Sequence, residues 1–322
     1  MQPTIKLQII MSKYLDPKAD LTFKKVFGEH SNLVLSLLNA LLPLPEGMEI
    51  KNVEYLSPEN IPENPGKKYS IVDVYCTDNY GRHFIVEMQS YWNTEFFSRT
   101  LFNATSMYAK QLEKGKSFGE LKDVYALSFV NDIKAFPEYG NEYIQEYYLT
   151  NKQHTADKRT DLSMVFIILP NYTPQNRAEK KMHDLWLKFL TEIDENTTDA
   201  APELLENKET SEALELLRRS AFTPGELLTY NQYWLDISTE KSAMERERRV
   251  GREEGRIEGR EEGRIEGEKI GIEKGEKIGI EKGIFLRNKQ IAVEMKKQGT
   301  SLDMISIVLQ LTKDEVAKLL KE

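Results

Sequence analysis

Two short runs rich in β-branched and aromatic residues constrain the fold of this chain more than any other feature. The runs are residues 69–77 and 82–89, and the turn sequence DNYG (78–81) lies between them. If Asp78 pairs with Arg82, the loop has three residues and ends in glycine, which is typical of a type I turn followed by a left-handed residue. The sequence therefore predicts a β-hairpin in which the numbers of paired residues add up to 160.

The pleat of the predicted hairpin divides its side chains between two faces. One face is wholly apolar and is predicted to be core: Val72, Val74, Cys76, Phe84, Val86 and Met88. The other face carries Asp73, Glu87 and Gln89 among apolar residues. The register predicts that Asp73 lies directly opposite Glu87, with about 4.5–5.5 Å between their Cβ atoms. It also predicts that Ile71 lies opposite Gln89.

Two like charges opposed in a sheet are destabilising, so the acid pair calls for an explanation. A divalent cation would turn the repulsion into coordination, because hard carboxylate oxygens are the ligands that Mg²⁺ prefers. Mg²⁺, or Mn²⁺ in its place, could activate water and stabilise the charge on a phosphate. Gln89, on the same side, could orient the attacking water. The alternative is a hairpin whose second face is simply exposed to water, and the spacing alone does not exclude it.

The remaining patterns predict an α/β core followed by helices. The predicted helices of the core are 16–28, 32–42 and 93–114, the last with Gly115 as its C-cap. The further predicted strands are 50–56, 124–130 and 163–169, with a loop over 57–68. Helices are then predicted over 174–193, 203–219 and 224–241. These patterns divide this part of the chain into a disordered lead at 1–15, a core at 16–170 and a helical extension at 171–241.

The C-terminal part begins with a low-complexity repeat that has glycine at every fourth position from Gly251 to Gly283. Each glycine costs a helix about 1 kcal/mol relative to alanine. The sequence therefore favours a dynamic, partly helical linker or self-association arm over residues 242–283, rather than a regular coiled coil. Residues 284–322 regain helical periodicity, with Thr312 and Glu315 as a capping box. We interpret them as a small helical packing or assembly module rather than a DNA-reading helix-turn-helix module, because the second and third predicted helices are poor in arginine and lysine.

Charge and cysteine content exclude some classes of protein. The net charge is −8, which argues against a chain coated in basic residues, although residues 98–122 carry a local excess of three positive charges. Four scattered histidines and one cysteine, Cys76, predict neither a zinc site nor a disulfide. No run of about 18 apolar residues exists, so no membrane partner is expected, and a lone buried thiol suits the cytoplasm.

Several short motifs, taken in order, resemble the Rpn family of recombination-promoting nucleases and putative transposases, within the PD-(D/E)XK nuclease superfamily. They are DLTFKKVFG (20–28), IVDV (71–74), VEMQ (86–89), Arg99, Tyr108 and QLEKG (111–115). The glycine-rich tail is also similar. The resemblance implies a restriction-endonuclease-like α/β core with a mixed central sheet flanked by helices. It implies Mg²⁺-dependent cleavage of double-stranded DNA, with Asp73 and Glu87 as metal ligands.

The resemblance also suggests roles for residues around the acid pair. Gln89 stands where the wider superfamily has lysine, and Lys24 could supply the missing positive charge. Asp20 is either a further acid of the metal site or the N-cap of a helix. The predicted DNA contacts lie on the long helix and at its end: Arg99, Lys110, Gln111 and Lys114.

Two functions follow from these patterns. The first is a metal-dependent endonuclease that nicks or cleaves duplex DNA and so promotes recombination. The second is a catalytically weak or inactive DNA-binding or assembly protein on a nuclease scaffold, which Gln89 and the acidic net charge favour. In either case the repeat arm predicts a homo-oligomer, and two protomers would provide one active site for each strand of a duplex.

Overall fold

The computed structural model describes residues 13–60, 70–112, 115–174 and 181–321. The chain forms two compact units, Met1–Lys241 and Ser242–Glu322. Most of the predicted lead at 1–15 and the DNA-contact candidate Lys114 lie outside the described residues. Tyr14 and Leu15 are fully buried, so the core begins at least two residues before the predicted start.

The first unit is built on a six-stranded mixed sheet with the order β1-β4-β5-β6-β8-β7. Its strands are β1 (Val53–Tyr55), β4 (Val74–Asp78), β5 (His83–Gln89), β6 (Val124–Val130), β7 (Ile144–Thr150) and β8 (Lys158–Ile168). Strands β5, β6 and β8 run parallel, and the other pairs are antiparallel. Among the described residues, two further strands, β2 (Glu59–Asn60) and β3 (Ser70–Ile71), form a separate two-stranded antiparallel sheet. The predicted mixed central sheet is confirmed.

Helices cover both faces of this sheet. The helices of the first unit are α1 (Asp20–Phe23), α2 (Ser31–Leu41), α3 (Thr94–Lys110), α4 (Lys181–Glu192), α5 (Pro202–Glu206) and α6 (Lys208–Leu216). A single π-helical turn, Lys24–Gly28, follows α1. One face of the sheet packs against α2, α4 and α6 in the larger hydrophobic core. The other face packs against α3, through residues such as Ile85, Phe96 and Phe166.

The predicted hairpin register is confirmed from Val74 opposite Val86 to Thr77 opposite His83. The ladder stops there, so the prediction that Asp73 lies directly opposite Glu87 in the sheet is wrong. The N–H of Met88 donates to the Asp73 carboxylate (2.7 Å) instead of to a strand carbonyl. This exchange releases the preceding residues from the strand.

The break at Asp73 changes the position of its neighbours. Val72 packs under α3 together with Ile85, rather than on the face of Val74 as the regular pleat predicted. Ile71 pairs with Glu59 in the small sheet, so its predicted position opposite Gln89 is also wrong.

Several element boundaries differ from the prediction. Helix α3 begins after the N-cap Asn93, as expected, but ends at Lys110. Gly115 has a φ of +95° yet lies beyond the helix, so it is not the C-cap. Strand β7 was not predicted, because it is an edge strand with mostly exposed side chains. The helix predicted over 203–219 is two helices, α5 and α6. The helix predicted over 174–193 is observed as α4 from Lys181, Pro174 is not helical, and residues 175–180 lie outside the described residues.

Helix α7 (Pro224–Lys297) contributes its first residues to the first unit and its remainder to the second. The prediction that residues 242–283 are only partly helical is therefore wrong, because the whole glycine repeat is helical. Their role as a self-association arm stays a prediction. The glycine-free stretches 226–250 and 284–297 flank the repeat, and helix growth from an existing helix is far easier than nucleation. At each repeat glycine an added Cβ would have open space around it.

The second unit ends in a small helical module. The end of α7 packs with α8 (Leu302–Leu309) and α9 (Lys313–Leu319) around Ala292, Ile305 and Val316. The capping box of Thr312 and Glu315 is confirmed at the start of α9. Among the described residues of the whole chain, every helix is too short or too polar to cross a membrane.

Candidate active site

Asp73 lies at the point where the hairpin ladder ends. One carboxylate oxygen, Oδ2, accepts the Met88 N–H, and the other, Oδ1, lies 3.8 Å from Nζ of Lys24. The side chain is 22% exposed, so one edge of the carboxylate remains open to solvent. Burial raises the pKa of Asp73 to about 6, although the Met88 N–H and the positive charges of Lys24 and Arg99 act in the opposite direction.

Glu87 lies in the middle of the sheet and is only 4% exposed. Its Oε1 accepts a hydrogen bond from Nδ2 of Asn103 on α3 (2.9 Å), while its Oε2 is buried without a hydrogen-bond partner among the described residues. Burial, followed by the negative charge of Asp73, raises the pKa of Glu87 to about 7. The two carboxylates are therefore close enough to repel each other, even though they are not paired in the ladder.

Lys24 reaches this site from the N-terminal part of the fold. The π-helical turn that it begins leads its ammonium toward the hairpin, where Nζ lies 2.6 Å from Oδ1 of Asp20 and 3.8 Å from Asp73. Asp20 is the first residue of α1 and the N-cap is Ala19, so the N-cap interpretation of Asp20 is wrong. Its salt bridge with Lys24 favours a role in holding that lysine.

Gln89 and Arg99 form a pair beside the two acids. Nη2 of Arg99 donates to Oε1 of Gln89 (2.7 Å), and the guanidinium also lies over the ring of Phe96. Gln89 is 8% exposed. Arg99 thus fixes the amide oxygen of Gln89 and orients its amide group. The charge of Arg99 also lowers the pKa of both Asp73 and Glu87, so it acts on the whole site.

Lys110 and Gln111, two further predicted DNA contacts, lie at the far end of α3. Lys110 and Gln111 line an open hollow of about 340 Å³ together with Lys116 and Lys122. The Gln111 amide exchanges two hydrogen bonds with the backbone of Lys122 (2.8 and 3.0 Å), which favours a structural role for this residue. The structure thus brings Arg99 to the acids and leaves Lys110 and Gln111 near the start of β5.

Two residues of the site were not identified from the sequence. Asn103 is fully buried and faces Glu87 from α3. The sequence feature that could have identified it is a polar residue on the apolar face of a predicted helix. Tyr233, on the first turns of α7, shares a 2.6 Å hydrogen bond with Ser90, the residue after Gln89. No local pattern connects residue 233 with residue 90, so this contact required the fold.

The donor set fits a hard divalent cation. Two neighbouring carboxylates carry raised pKa values, and one buried oxygen of Glu87 lacks a partner, which is what a missing positive charge would satisfy. No cluster of three or more histidine, cysteine or acidic residues suited to a metal occurs among the described residues. A cation here would therefore rely on two carboxylates, with its remaining positions left for water and substrate oxygens.

The raised pKa values predict how metal-free stability depends on pH. Between about pH 4 and 7 the folded chain binds more protons at Asp73 and Glu87 than the unfolded chain does. Stability is thus expected to fall by a few kcal/mol as pH rises through this range, since one pKa unit corresponds to about 1.4 kcal/mol. Urea unfolding in EDTA at pH 5 and pH 8 measures this fall in the free energy of unfolding. An equal pH dependence in Asp73→Asn would contradict the assignment.

Comparison with protein-family models bears on the identity of the chain. The model of the PD-(D/E)XK nuclease family transposases matches residues 17–246, which include the whole sheet and every candidate site residue above. Searches of curated proteins and of solved structures found no match. Because the match covers well over half of the 322 residues, it confirms the resemblance inferred from the sequence. The chain belongs to the PD-(D/E)XK nuclease family transposases.

Proposed function

We propose that this protein is a divalent-metal-dependent endonuclease that nicks or cleaves duplex DNA and thereby promotes recombination. The observation that carries the proposal is the pair Asp73 and Glu87, two largely buried carboxylates that repel each other, one of which has an oxygen without a partner among the described residues. Membership of a nuclease family supports phosphodiester hydrolysis and DNA as the substrate. The single buried thiol of Cys76 is consistent with a cytoplasmic location.

Asp73 and Glu87 would hold Mg²⁺, with Mn²⁺ as a substitute. When bound, the cation supplies positive charge against the reacting phosphate and lowers the pKa of water. Asn103 fixes one oxygen of Glu87, and the Met88 N–H fixes one oxygen of Asp73, so both carboxylates are oriented before any cation arrives. Asp20 was a candidate third ligand; its contact with Lys24 favours an indirect contribution instead.

The remaining residues would orient the reactants. The amide oxygen of Gln89 is held by Arg99, and its amide N–H₂ group could donate to an attacking water or to a phosphate oxygen. Arg99 holds that amide and adds the positive charge that a lysine carries elsewhere in the superfamily. Lys24 adds a second positive charge beside Asp73. Lys110, near the far end of α3, would contact the DNA backbone further along the duplex.

Plasmid nicking tests this function. Wild type in Mg²⁺ or Mn²⁺ is expected to convert supercoiled plasmid to open circles, and EDTA is expected to stop the reaction. Asp73→Ala is expected to be inactive with either metal, because the remaining carboxylate cannot hold the cation alone. Equal nicking by wild type and Asp73→Ala would reject the proposal.

The second candidate is a DNA-binding or assembly protein that has lost catalysis. Gln89 favours it, since an amide can only hydrogen-bond a nascent hydroxide and cannot stabilise it by charge. This function predicts DNA binding without turnover in either metal. Metal-dependent cleavage that disappears in Glu87→Ala would refute it.

We also propose that the repeat arm forms a parallel homo-oligomer. Between Gly251 and Gly267 the glycine stripe has arginines on one flank and glutamates on the other, because the residues after and before each glycine are rotated by about 100° in opposite directions. The arginines are Arg252, Arg256, Arg260 and Arg264, and the glutamates are Glu254, Glu258, Glu262 and Glu266. The glycine stripe winds around the helix by about 40° per repeat, so two parallel helices that follow it must cross or coil around each other. Where they meet at the glycines, the arginines of each helix face the glutamates of the other.

Light scattering of the full chain measures its mass and so tests whether the repeat arm forms this oligomer. Changing the four arginines to glutamate is expected to yield monomers, because both flanks then carry negative charge. Changing the four glutamates to arginine in the same chain is expected to restore the oligomer. A wild-type mass equal to that of a monomer, or no effect of the arginine changes, would exclude this assembly.

A further inference from the structure

Oε2 of Glu87 is one of several polar atoms that are buried beneath α3 without a hydrogen-bond partner among the described residues. Three oxygens there have no hydrogen-bond partner among the described residues: Glu87 Oε2, Thr100 Oγ1 and Ser128 Oγ. Thr100 and Ser128 are each only 1% exposed. Buried polar atoms are nearly always hydrogen-bonded in folded proteins, and a bound water commonly satisfies those that lack a protein partner. Three such atoms on three different elements therefore point to a common ligand.

Register places two of these atoms side by side. Glu87 on β5, Ser128 on β6 and Phe166 on β8 are partners in the parallel ladders, so they form one row across the sheet. The row faces α3, because Ile85 and Ala126 pack in the core beneath α3, and Glu87 and Ser128 follow them by two residues.

Helix α3 crosses the same row. Phe96 contacts Phe166 at one end of the row (6.1 Å between ring centroids), and Asn103 donates to Glu87 at the other end (2.9 Å). Seven helical residues advance about 10.5 Å, and two strand spacings span about 9.6 Å, so the two lengths match. Thr100 lies between these anchors on the buried side of α3. It is therefore above the middle of the row, where Ser128 lies.

We propose that Thr100, Ser128 and Glu87 enclose one bound water molecule, and that this water keeps the Glu87 carboxylate in its metal-binding orientation. A single water can donate to Glu87 Oε2 and still form hydrogen bonds with both hydroxyls. An ionised carboxylate has about four acceptor positions, so the same oxygen can also face a cation. Thr100 and Ser128 are thus positioning residues that act through Glu87. The water site stands by itself; its effect on the metal rests on the proposed function.

Thermal unfolding in EDTA tests the water site, because the proposal predicts that the variants have a lower Tm than wild type. Thr100→Val and Ser128→Ala are each expected to lower the Tm by about 2–4 °C, because each leaves the water and its other partners less well bonded. The double variant is expected to fall little further, since both hydroxyls hold the same water. Thr100→Ser keeps the hydroxyl but deletes a buried methyl group, so its Tm also falls and its Mn²⁺ affinity is the informative measurement. Higher Tm values for Thr100→Val and Ser128→Ala would overturn the proposal, because removing truly unpaired hydroxyls stabilises a fold.

Thr105→Val is the matched control, because Thr105 lies on the exposed side of α3 and its hydroxyl bonds only to helix carbonyls. Calorimetric titration with Mn²⁺ then tests the positioning role. Thr100→Val and Ser128→Ala are expected to bind Mn²⁺ about 10-fold more weakly, whereas Thr100→Ser and Thr105→Val keep the wild-type affinity. Unchanged affinity in the first two variants would refute the positioning role. Failure of wild type to bind Mn²⁺ would refute the proposed function, while the Tm result still decides the water site.

Discussion

Glu87→Gln is expected to abolish metal-dependent DNA cleavage while making the metal-free protein more stable at pH 8. The neutral amide keeps the shape of the side chain and can still bond to Asn103, but it removes a buried charge that repels Asp73. Stability therefore rises, because an ionised buried carboxylate without a cation is unfavourable. Cleavage falls by about 10³-fold or more, because a catalytic metal supplies several kcal/mol of charge stabilisation in the transition state.

The two effects are measured on the same preparations, by urea unfolding in EDTA and by plasmid nicking in Mn²⁺. Glu54→Gln is the matched control, because Glu54 is an exposed glutamate on β1 of the same sheet. It should change neither property. A Glu87→Gln protein that cleaves DNA at the wild-type rate would remove Glu87 from the metal site, and one that is less stable at pH 8 would contradict its raised pKa.

Arg99→Gln is expected to lower kcat by about 10²-fold to 10³-fold, the loss typical of a single oriented donor at a reacting oxygen. The variant loses the bond that orients Gln89 and removes the positive charge nearest to it. Arg99→Lys keeps the charge but not the planar fork of donors, so it should recover only part of the rate. Introducing Gln89→Lys into the Arg99→Gln variant is expected to raise kcat again, because the lysine places a positive charge at position 89.

Single-turnover kinetics separate this role from simple DNA binding. Lys110→Gln, at the other end of α3, should weaken DNA affinity and reduce its salt dependence without lowering the single-turnover rate at saturating DNA. If Arg99→Gln changes only affinity, in the manner expected of Lys110→Gln, then Arg99 contacts the backbone and does not act through Gln89.

The hairpin shows how far sequence reasoning reaches. The alternation of residues and the length of the turn were enough to obtain the register of β4 and β5, because both are local properties. The break at Asp73 was not predictable in this way. It depends on a side chain replacing a backbone carbonyl as the acceptor for Met88, and a binary pattern of polar and apolar residues does not distinguish a paired from an unpaired acid.

Other parts of the site depend on contacts between distant residues. The approach of Lys24 to Asp73 joins the first helix to the hairpin, and the Ser90–Tyr233 bond joins the hairpin to α7. The resemblance suggested Lys24 as a source of charge, but its distance from the acids required the fold. Strand β6, by contrast, is buried at every residue and was evident from its continuous apolar run.

The break in the ladder at Asp73 has a consequence for the order in which the molecule assembles. Both acids, Gln89, Arg99 and Asn103 lie within residues 73–103, and the acids are joined by a loop of about 14 residues, whose closure entropy is small. Contacts of such short sequence separation form early in folding. The centre of the site can therefore take shape while the strands and helices that follow it are still being synthesised, and Tyr233 arrives last to close its edge.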